Sequence, residues 1–328
     1  MPEPKPLFRE RIRKLLESEE ETFFEYCRKP LLDWVRCNTI KISPEKLAER
    51  LSAKWKTEQP FQGSPEIIKV IEKKDGSALA PGELGKAREH LLGYYYIQEL
   101  SSMMPAIALQ PTRNDMVLDL CASPGSKTTQ IAARMQNSGL LVANDVRLDR
   151  LIVLNSNLER CAVTNCIIAK EEGASLCGKF ADLNVKFDKI LVDASCSGEG
   201  TARNDLKLFQ MWNIKMIGNF AKQQKRLVAS AMSVLKDNGI LVYSTCTLTP
   251  EENEGVVQFM LDNFNVKVEK CSLPVQTRQG IGGWQGRQFS NEIKNCCRIY
   301  PQDNDSEGFF VAKIKLLETA KIKQGLSR

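Results

Sequence analysis

The sequence predicts an α/β fold, a mostly parallel, doubly wound sheet with a smaller α/β domain in front of it. Three observations carry this. Short apolar runs near 116–121, 140–144, 165–169, 187–192 and 239–244 alternate with helical segments, the pattern of a parallel sheet. The first run ends in Asp119 and enters a small-residue turn that opens a helix. Two later runs, Lys189-Ile190-Leu191-Val192 and Gly239-Ile240-Leu241-Val242, lead into Cys196 and Cys246. Ligands of open α/β sheets bind beyond the carboxyl ends of the strands. Two thiols there, with Asp193 beside one, have the look of a reaction centre.

The elements follow in chain order. Residues 6–29 are charged and amphipathic, with Phe8, Ile12, Leu15, Leu16, Phe23 and Phe24 at helical spacing. A strand is expected over 34–42. Ser43-Pro44-Glu45-Lys46 reads as a helix start, with a Ser cap and Pro in the first turn, for a helix over 44–53. A strand over 67–72 completes a small domain at 1–90. Composition shifts to turn and linker around 82–93, and 94–102 leads into an apolar helix ending at Leu109. The large domain is expected at 91–318, finished by a hairpin of strands near 264–270 and 308–315. Residues 319–328 are set apart as a tail.

Bulk properties narrow the function. The chain has 328 residues, 42% hydrophobic and 26% charged, with a net charge of +6 that suits a nucleic-acid partner or an ordinary basic enzyme. Its eleven cysteines contain no CxxC pair, which argues against a zinc knuckle or a thioredoxin-type motif. Most read as small buried hydrophobes in a reducing cytoplasm. The single histidine, His90, leaves little scope for a catalytic triad or a His-rich metal site. The start has no apolar signal region, and no apolar stretch is long enough for a bilayer. A cytoplasmic protein without membrane contact is expected.

The turn after the first strand, Cys121-Ala122-Ser123-Pro124-Gly125-Ser126-Lys127, lets backbone approach a ligand closely. It is not a P-loop, because Cys121 and Ser126 stand where that motif has its glycines. Asp145 ends the next strand, where an acid holds a ribose diol or caps a helix; with the preceding turn it points to a nucleoside.

Three segments together resemble one family: 118–128 (LDLCASPGSKT), 193–200 (DASCSGEG) and 244–254 (STCTLTPEENE). It is the Sun/RsmF-type RNA cytosine-5 methyltransferases, which use S-adenosyl-L-methionine. The match covers roughly residues 90–315, and 36–41 and 95–102 extend it toward the start. The resemblance implies a Rossmann-like class I methyltransferase domain and an RRM-like, RNA-binding small domain. It implies a cofactor site at Asp119, Cys121, Ala122, Ser123, Pro124, Gly125, Ser126, Lys127, Asp145, Arg150, Glu172 and Asp193. Glu172 is expected at the adenine amine, and Arg150 near the adenosine or in a structural role. There are two departures. Ser126 replaces the usual Gly, and Ser195 replaces the Pro that would fix the backbone before Cys196.

Cytosine C5 is a poor nucleophile, and a thiolate adding to C6 makes it reactive by covalent catalysis. The sequence alone does not assign the two thiols. The resemblance makes Cys246 the nucleophile, Cys196 the thiol assisting release, and Asp193 the contact to the base. Thr249, Pro250 and Glu252 read as a helix cap with its capping box. Lys127 reads as a residue near the cofactor or a solvated helix position. Arg36, Lys41, Arg203, Lys207 and Arg287 are candidate phosphate contacts. Phe209, Trp212 and Trp284 either stack on bases or pack. The compact chain, without an evident C-terminal appendage, favours tRNA over rRNA as substrate for a monomer. A non-catalytic RNA-binding or assembly factor is the rival, disfavoured because both thiols are present.

Overall fold

The computed structural model describes residues 3–317, so the tail at 319–328 lies outside the described residues. Helices α1 (Pro6–Leu16) and α2 (Glu20–Arg28) come first. Their apolar stripe is the expected one, but it docks on the large domain. Phe8, Ile12, Phe23 and Phe24 share a core with Phe209, Trp212, Leu248 and Tyr300.

The small domain follows as β1 (Asp33–Cys37), α3 (Pro44–Leu51), β2 (Trp55–Glu58), β3 (Ile67–Lys73), α4 (Glu83–Lys86), α5 (Arg88–Leu91) and β4 (Tyr95–Ile97). The sheet order is β2-β3-β1-β4, antiparallel throughout. That is the split βαβ arrangement of a four-stranded RRM-type sheet. Ser43 accepts from the Lys46 amide as the cap of α3. Strand β1 stops at Cys37 instead of running to 42, because Asn38 turns away to donate to the carbonyls of Gly93 and Cys161. The sheet closes with β4, past the boundary expected at residue 90; Tyr96 pairs with Arg36.

Both faces of this sheet are covered. Val35, Cys37, Ile68, Val70 and Tyr95 pack under the helices with Leu47 and Leu51. On the other face Trp34 and Ile67 join the core of the large domain. That second face is the one an RRM leaves open to stack bases.

The large domain begins with α6 (Met104–Leu109) and alternates β5 (Met116–Asp119), α7 (Ser126–Met135), β6 (Leu140–Asn144), α8 (Leu148–Arg160), β7 (Cys166–Ala169), α9 (Gly173–Asp182) and β8 (Phe187–Asp193). Then come α10 (Leu208–Met211), α11 (Ile214–Ser233), β9 (Leu235–Thr245) and α12 (Glu254–Asn263). The last elements among the described residues are β10 (Val266–Glu269), β11 (Arg278–Gln279), β12 (Gly283–Trp284), β13 (Arg287–Gln288), β14 (Cys297–Ile299), α13 (Pro301–Asn304) and β15 (Phe309–Leu316).

Strands β7-β6-β5-β8-β9 are parallel neighbours in that order. β15 runs antiparallel beside β9, and its outer edge is shared by β14 and β10. The expected final strands therefore pair, with some forty intervening residues folded into β11–β14 and α13. Successive residues face opposite sides, as a strand dictates. Leu118, Val192 and Tyr243 pack with Leu176, Val228 and Met260 on one face. Val117, Leu191 and Val242 pack with Met104, Ile107 and Ile131 on the other. The order reverses between β5 and β8, so a ligand crevice is expected above their carboxyl ends.

Candidate active site

The ends of β8 and β9 are adjacent, with Asp193 opposite Ser244 in the parallel register. The loops that leave them bring the sulfurs of Cys196 and Cys246 to 3.3 Å. The Cys196 thiol is pushed well above its ordinary value by the contact with Cys246 and by burial. That favours the protonated thiol at Cys196, and either sulfur can donate in the contact.

Buried carboxylates hold the two loops in place. Glu199 accepts from the Trp212 indole (2.6 Å), the Thr247 hydroxyl (2.7 Å), the Leu248 amide (3.2 Å) and the Thr249 hydroxyl. One side chain from the Cys196 loop thus organises the Cys246 loop. Glu252 accepts from the Ser197 amide (3.1 Å) and hydroxyl and from Gln224 (2.8 Å). Gln224 also donates to the Ser195 carbonyl at 2.9 Å, so side-chain bonds anchor the backbone where a proline was expected. The capping box read at Thr249–Glu252 does not form. Both side chains are taken by the Cys196 loop, and α12 begins only at Glu254. Beneath them Arg298 pairs with Glu254 (2.6 Å) and donates to the Leu248 carbonyl (3.0 Å).

Gly200 sits where the loops touch. Its amide donates to the Cys246 carbonyl at 2.9 Å, and its carbonyl accepts from the Gly308 amide at 2.9 Å. A Cβ there would lie 2.1 Å from the Gly308 oxygen and 2.7 Å from the Cys246 oxygen.

Beside the thiols, Asp193 accepts from Ser244 (2.7 Å) and pairs with Lys127 (2.7 Å). Lys127 also donates to Ser102 and lies 5.2 Å from the Phe309 ring. It is almost fully buried, which settles the choice against a solvated helix position.

A cleft of ≈ 380 Å³ opens on the other side of the β5–β8 ends. Of the expected cofactor residues, Cys121, Asp145, Arg150 and Glu172 line it, together with Leu120, Ala194, Ser195, Gln224 and Leu227. Asp145 accepts from the Arg147 amide and faces Arg150 at 3.4 Å. Glu172 caps α9 through the Ser175 amide while lining the cleft. Arg150 donates to the Ser123 carbonyl, fixing the turn. Gly125 has φ 104°, and a Cβ would meet Leu154 at 2.9 Å, so only glycine fits this turn. Ser126 opens α7. Ala122 and Pro124 shape the same turn, through the Ala122 carbonyl to Gly125 and the Pro124 carbonyl to Asn157. Asp119 is buried, with one oxygen held by Thr128 and the other without a partner. Burial, aided by Asp193, raises it to about 7. Acceptors at two strand ends, Asp145 and Glu172, and the aliphatic walls of Leu120 and Leu227 fit a nucleoside-bearing ligand.

Three of the expected phosphate contacts are structural. Arg36 is buried and donates to Gln98, to the Ser126 carbonyl (2.6 Å) and to Thr129 (2.8 Å). Lys41 donates to the carbonyls of Leu92 and Arg160. Arg203 is spent on the Lys29, Pro30 and Ser306 carbonyls and on Asp305. Lys207 and Arg287 remain exposed. Phe209 and Trp212 pack against Phe8. Sequence reasoning missed Gln224 and Leu227, which no local motif marks. It also passed over the role of Glu199, although that residue lies inside the Cys196 motif.

A family model described as 16S rRNA methyltransferase RsmB/F matches residues 106–315, and one for the N-terminal domain of 16S rRNA methyltransferase RsmF matches 4–100. The tRNA (cytosine(49)-C(5))-methyltransferase of Pyrococcus abyssi is 39% identical, over 93% of this chain and 94% of its own. The ribosomal RNA small subunit methyltransferase F of Photobacterium profundum is 39% identical over 98% of this chain, which spans 66% of that relative. A methyltransferase homolog from Pyrococcus horikoshii superposes with TM-score 0.83 at 36% identity, covering 95% of both chains. NSun6 from Pyrococcus horikoshii, solved with SFG, superposes with TM-score 0.77 at 26% identity, covering 94% of this chain and 97% of that one. The chain belongs to the RsmB/F family of RNA cytosine-5 methyltransferases, and its methyl donor is S-adenosylmethionine.

Proposed function

We propose that the chain methylates cytosine C5 in tRNA through a covalent bond between Cys246 and C6, with Cys196 assisting release and Asp193 holding the base. The observation that carries this reading is the 3.3 Å separation of the two sulfurs at neighbouring strand ends. The target cytosine must leave its stack to bring C5 and C6 to them. The Cys246 sulfur bonds to C6, and the C5–C6 π pair moves to C5. When bound, the donor would supply a methyl carbon on a cationic sulfur, to which the C5 pair bonds as the carbon–sulfur bond breaks and a neutral thioether leaves. C5 must then lose its proton to a base or water at the site; the C–H pair restores the double bond as the C6–sulfur bond breaks and Cys246 leaves as thiolate. Cys196, whose sulfur lies 3.3 Å from that of Cys246, is the group placed to assist this release. Lys127 and Ser244 fix the Asp193 carboxylate against the base edge. Asp145, Glu172 and the 121–127 turn are the residues that would hold the nucleoside and amino-acid parts of the donor.

The tRNA assignment is supported by the Pyrococcus abyssi relative, named for a tRNA cytosine and similar along 93% of this chain. The rRNA reading has its own support in the Photobacterium profundum relative. Labelled S-adenosylmethionine with separate tRNA and rRNA pools, followed by mapping of 5-methylcytosine, tests both. Label in tRNA is expected, and label confined to rRNA would overturn the substrate assignment. Cys246→Ala is expected to abolish transfer; full activity in it would sink the covalent mechanism.

A further inference from the structure

A second groove lies on the far side of α11 from the cofactor cleft. It has a volume of ≈ 510 Å³ and runs between α11, the start of α12 and the β12–β13 hairpin. Its walls carry three cations, Lys222, Lys225 and Arg287, and two aromatic rings, Trp284 and Phe289. The established chemistry uses none of them. The two acids nearby are already engaged. Glu251 pairs with Arg11 at 2.7 Å, and Asp262 lies 3.8 Å from Arg287 and accepts from Gln258. Lys225 is half-buried, and burial together with the nearby Arg287 lowers its ordinary value. Like charges are thus crowded here. The Arg11 guanidinium lies 5.3 Å from the Trp284 ring, and the Trp284 indole N–H has no partner among the described residues. Glu251 follows directly on the Cys246 loop, so the groove adjoins the reaction centre.

We propose that this groove binds the sugar-phosphate backbone of the substrate RNA, with Lys222, Lys225 and Arg287 on phosphates and Trp284 against a base or ribose. The inference rests on the RNA substrate argued above. Cations in a groove with an aromatic wall are how single-stranded nucleic acid is held without sequence readout. Each phosphate neutralised releases counterions, so the groove leaves a signature in the salt dependence of binding.

The experiment measures RNA binding to the full chain by the wild type, Lys222→Ala/Arg287→Ala and Asp262→Asn over a salt series, using the tRNA and rRNA pools as probes. The double variant is expected to bind about tenfold more weakly, with its log–log salt slope shallower by about two. S-adenosylmethionine affinity and thermal midpoint should stay at the wild-type level. Asp262→Asn, which frees Arg287, is expected to bind RNA more tightly. RNA affinity and salt slope unchanged in both variants would overturn the proposal. Failure of the functional reading looks different: the wild type would then transfer methyl to neither pool, whatever it binds.

Discussion

The Trp212 indole N–H donates to the Glu199 carboxylate at 2.6 Å, under the ring of Phe8 from α1. Through this bond the N-terminal helix pair reaches the loop of Cys246. Every group on that carboxylate is a donor, so an amide in its place confronts at least one of them. Glu199→Gln should therefore lower stability by about 1–3 kcal/mol. It should also cut kcat by about 10- to 100-fold by displacing the loop. Urea unfolding and single-turnover methylation measure the two effects. Trp212→Phe removes only one donor and should do less of both.

Gly200→Ala is a sterically sharper change. The added methyl falls on the carbonyls of Gly308 and Cys246, neither of which is a flexible side-chain end. Loss of methyl transfer and a lower thermal midpoint are expected together. Ala at the exposed Gly178, inside α9 with nothing within 4 Å, should leave transfer unchanged and raise the midpoint slightly, and serves as the control.

Cys196→Ala removes the thiol 3.3 Å from the Cys246 sulfur but leaves the proposed nucleophile. The variant should stall after methylation and accumulate a covalent protein–RNA species, seen as a shifted band on a denaturing gel. Cys196→Ala/Cys246→Ala should show none.

Three buried carboxyls give stability a pH dependence. Burial raises Glu252 and Asp119 to about 7, and burial with the neighbouring Glu99 raises Glu307 to about 8. Each keeps its proton in the fold to higher pH than in the unfolded chain, so each lowers stability as pH climbs from the ordinary carboxyl range to its folded value. His90 has the opposite sign. Burial lowers it from 6.5 to about 4, so it adds stability as pH rises across that interval and nothing above it. From pH 6.5 to 8 the carboxyls prevail over His90, and the thermal midpoint should fall. Glu252→Gln should shrink that fall, as thermal melts at the two pH values would report.

The parallel strands were legible because both their faces are buried, leaving short continuous apolar runs with acids at the ends. Strand β9 begins at Leu235, earlier than expected, because Lys236, Asp237 and Asn238 break the apolar signal. Strands β2 and β4 escaped notice, the first being polar at three of its four residues and the second only three residues long. The two thiols, Asp193 and Asp145 could be located from strand ends alone. What no local pattern conveys is a partner about fifty residues away. Thr249 and Glu252 match a helix cap in sequence, yet Glu199 and Ser197 claim them in the fold. Arg36 and Arg203 look like solvent-facing cations until their carbonyl partners arrive from other elements, whereas Lys41 stays exposed while it donates to two carbonyls.

Arg36 belongs to the sheet of the small domain, yet its guanidinium is bonded to the opening turn of α7, next to the cofactor turn. The small domain is thus not an exchangeable module. Replacing it with an unrelated RNA-binding sheet would remove the group that props the opening turn of α7, and donor binding is expected to weaken even where the new sheet folds. That seam, more than any base-stacking surface, ties this domain to the rest of the chain.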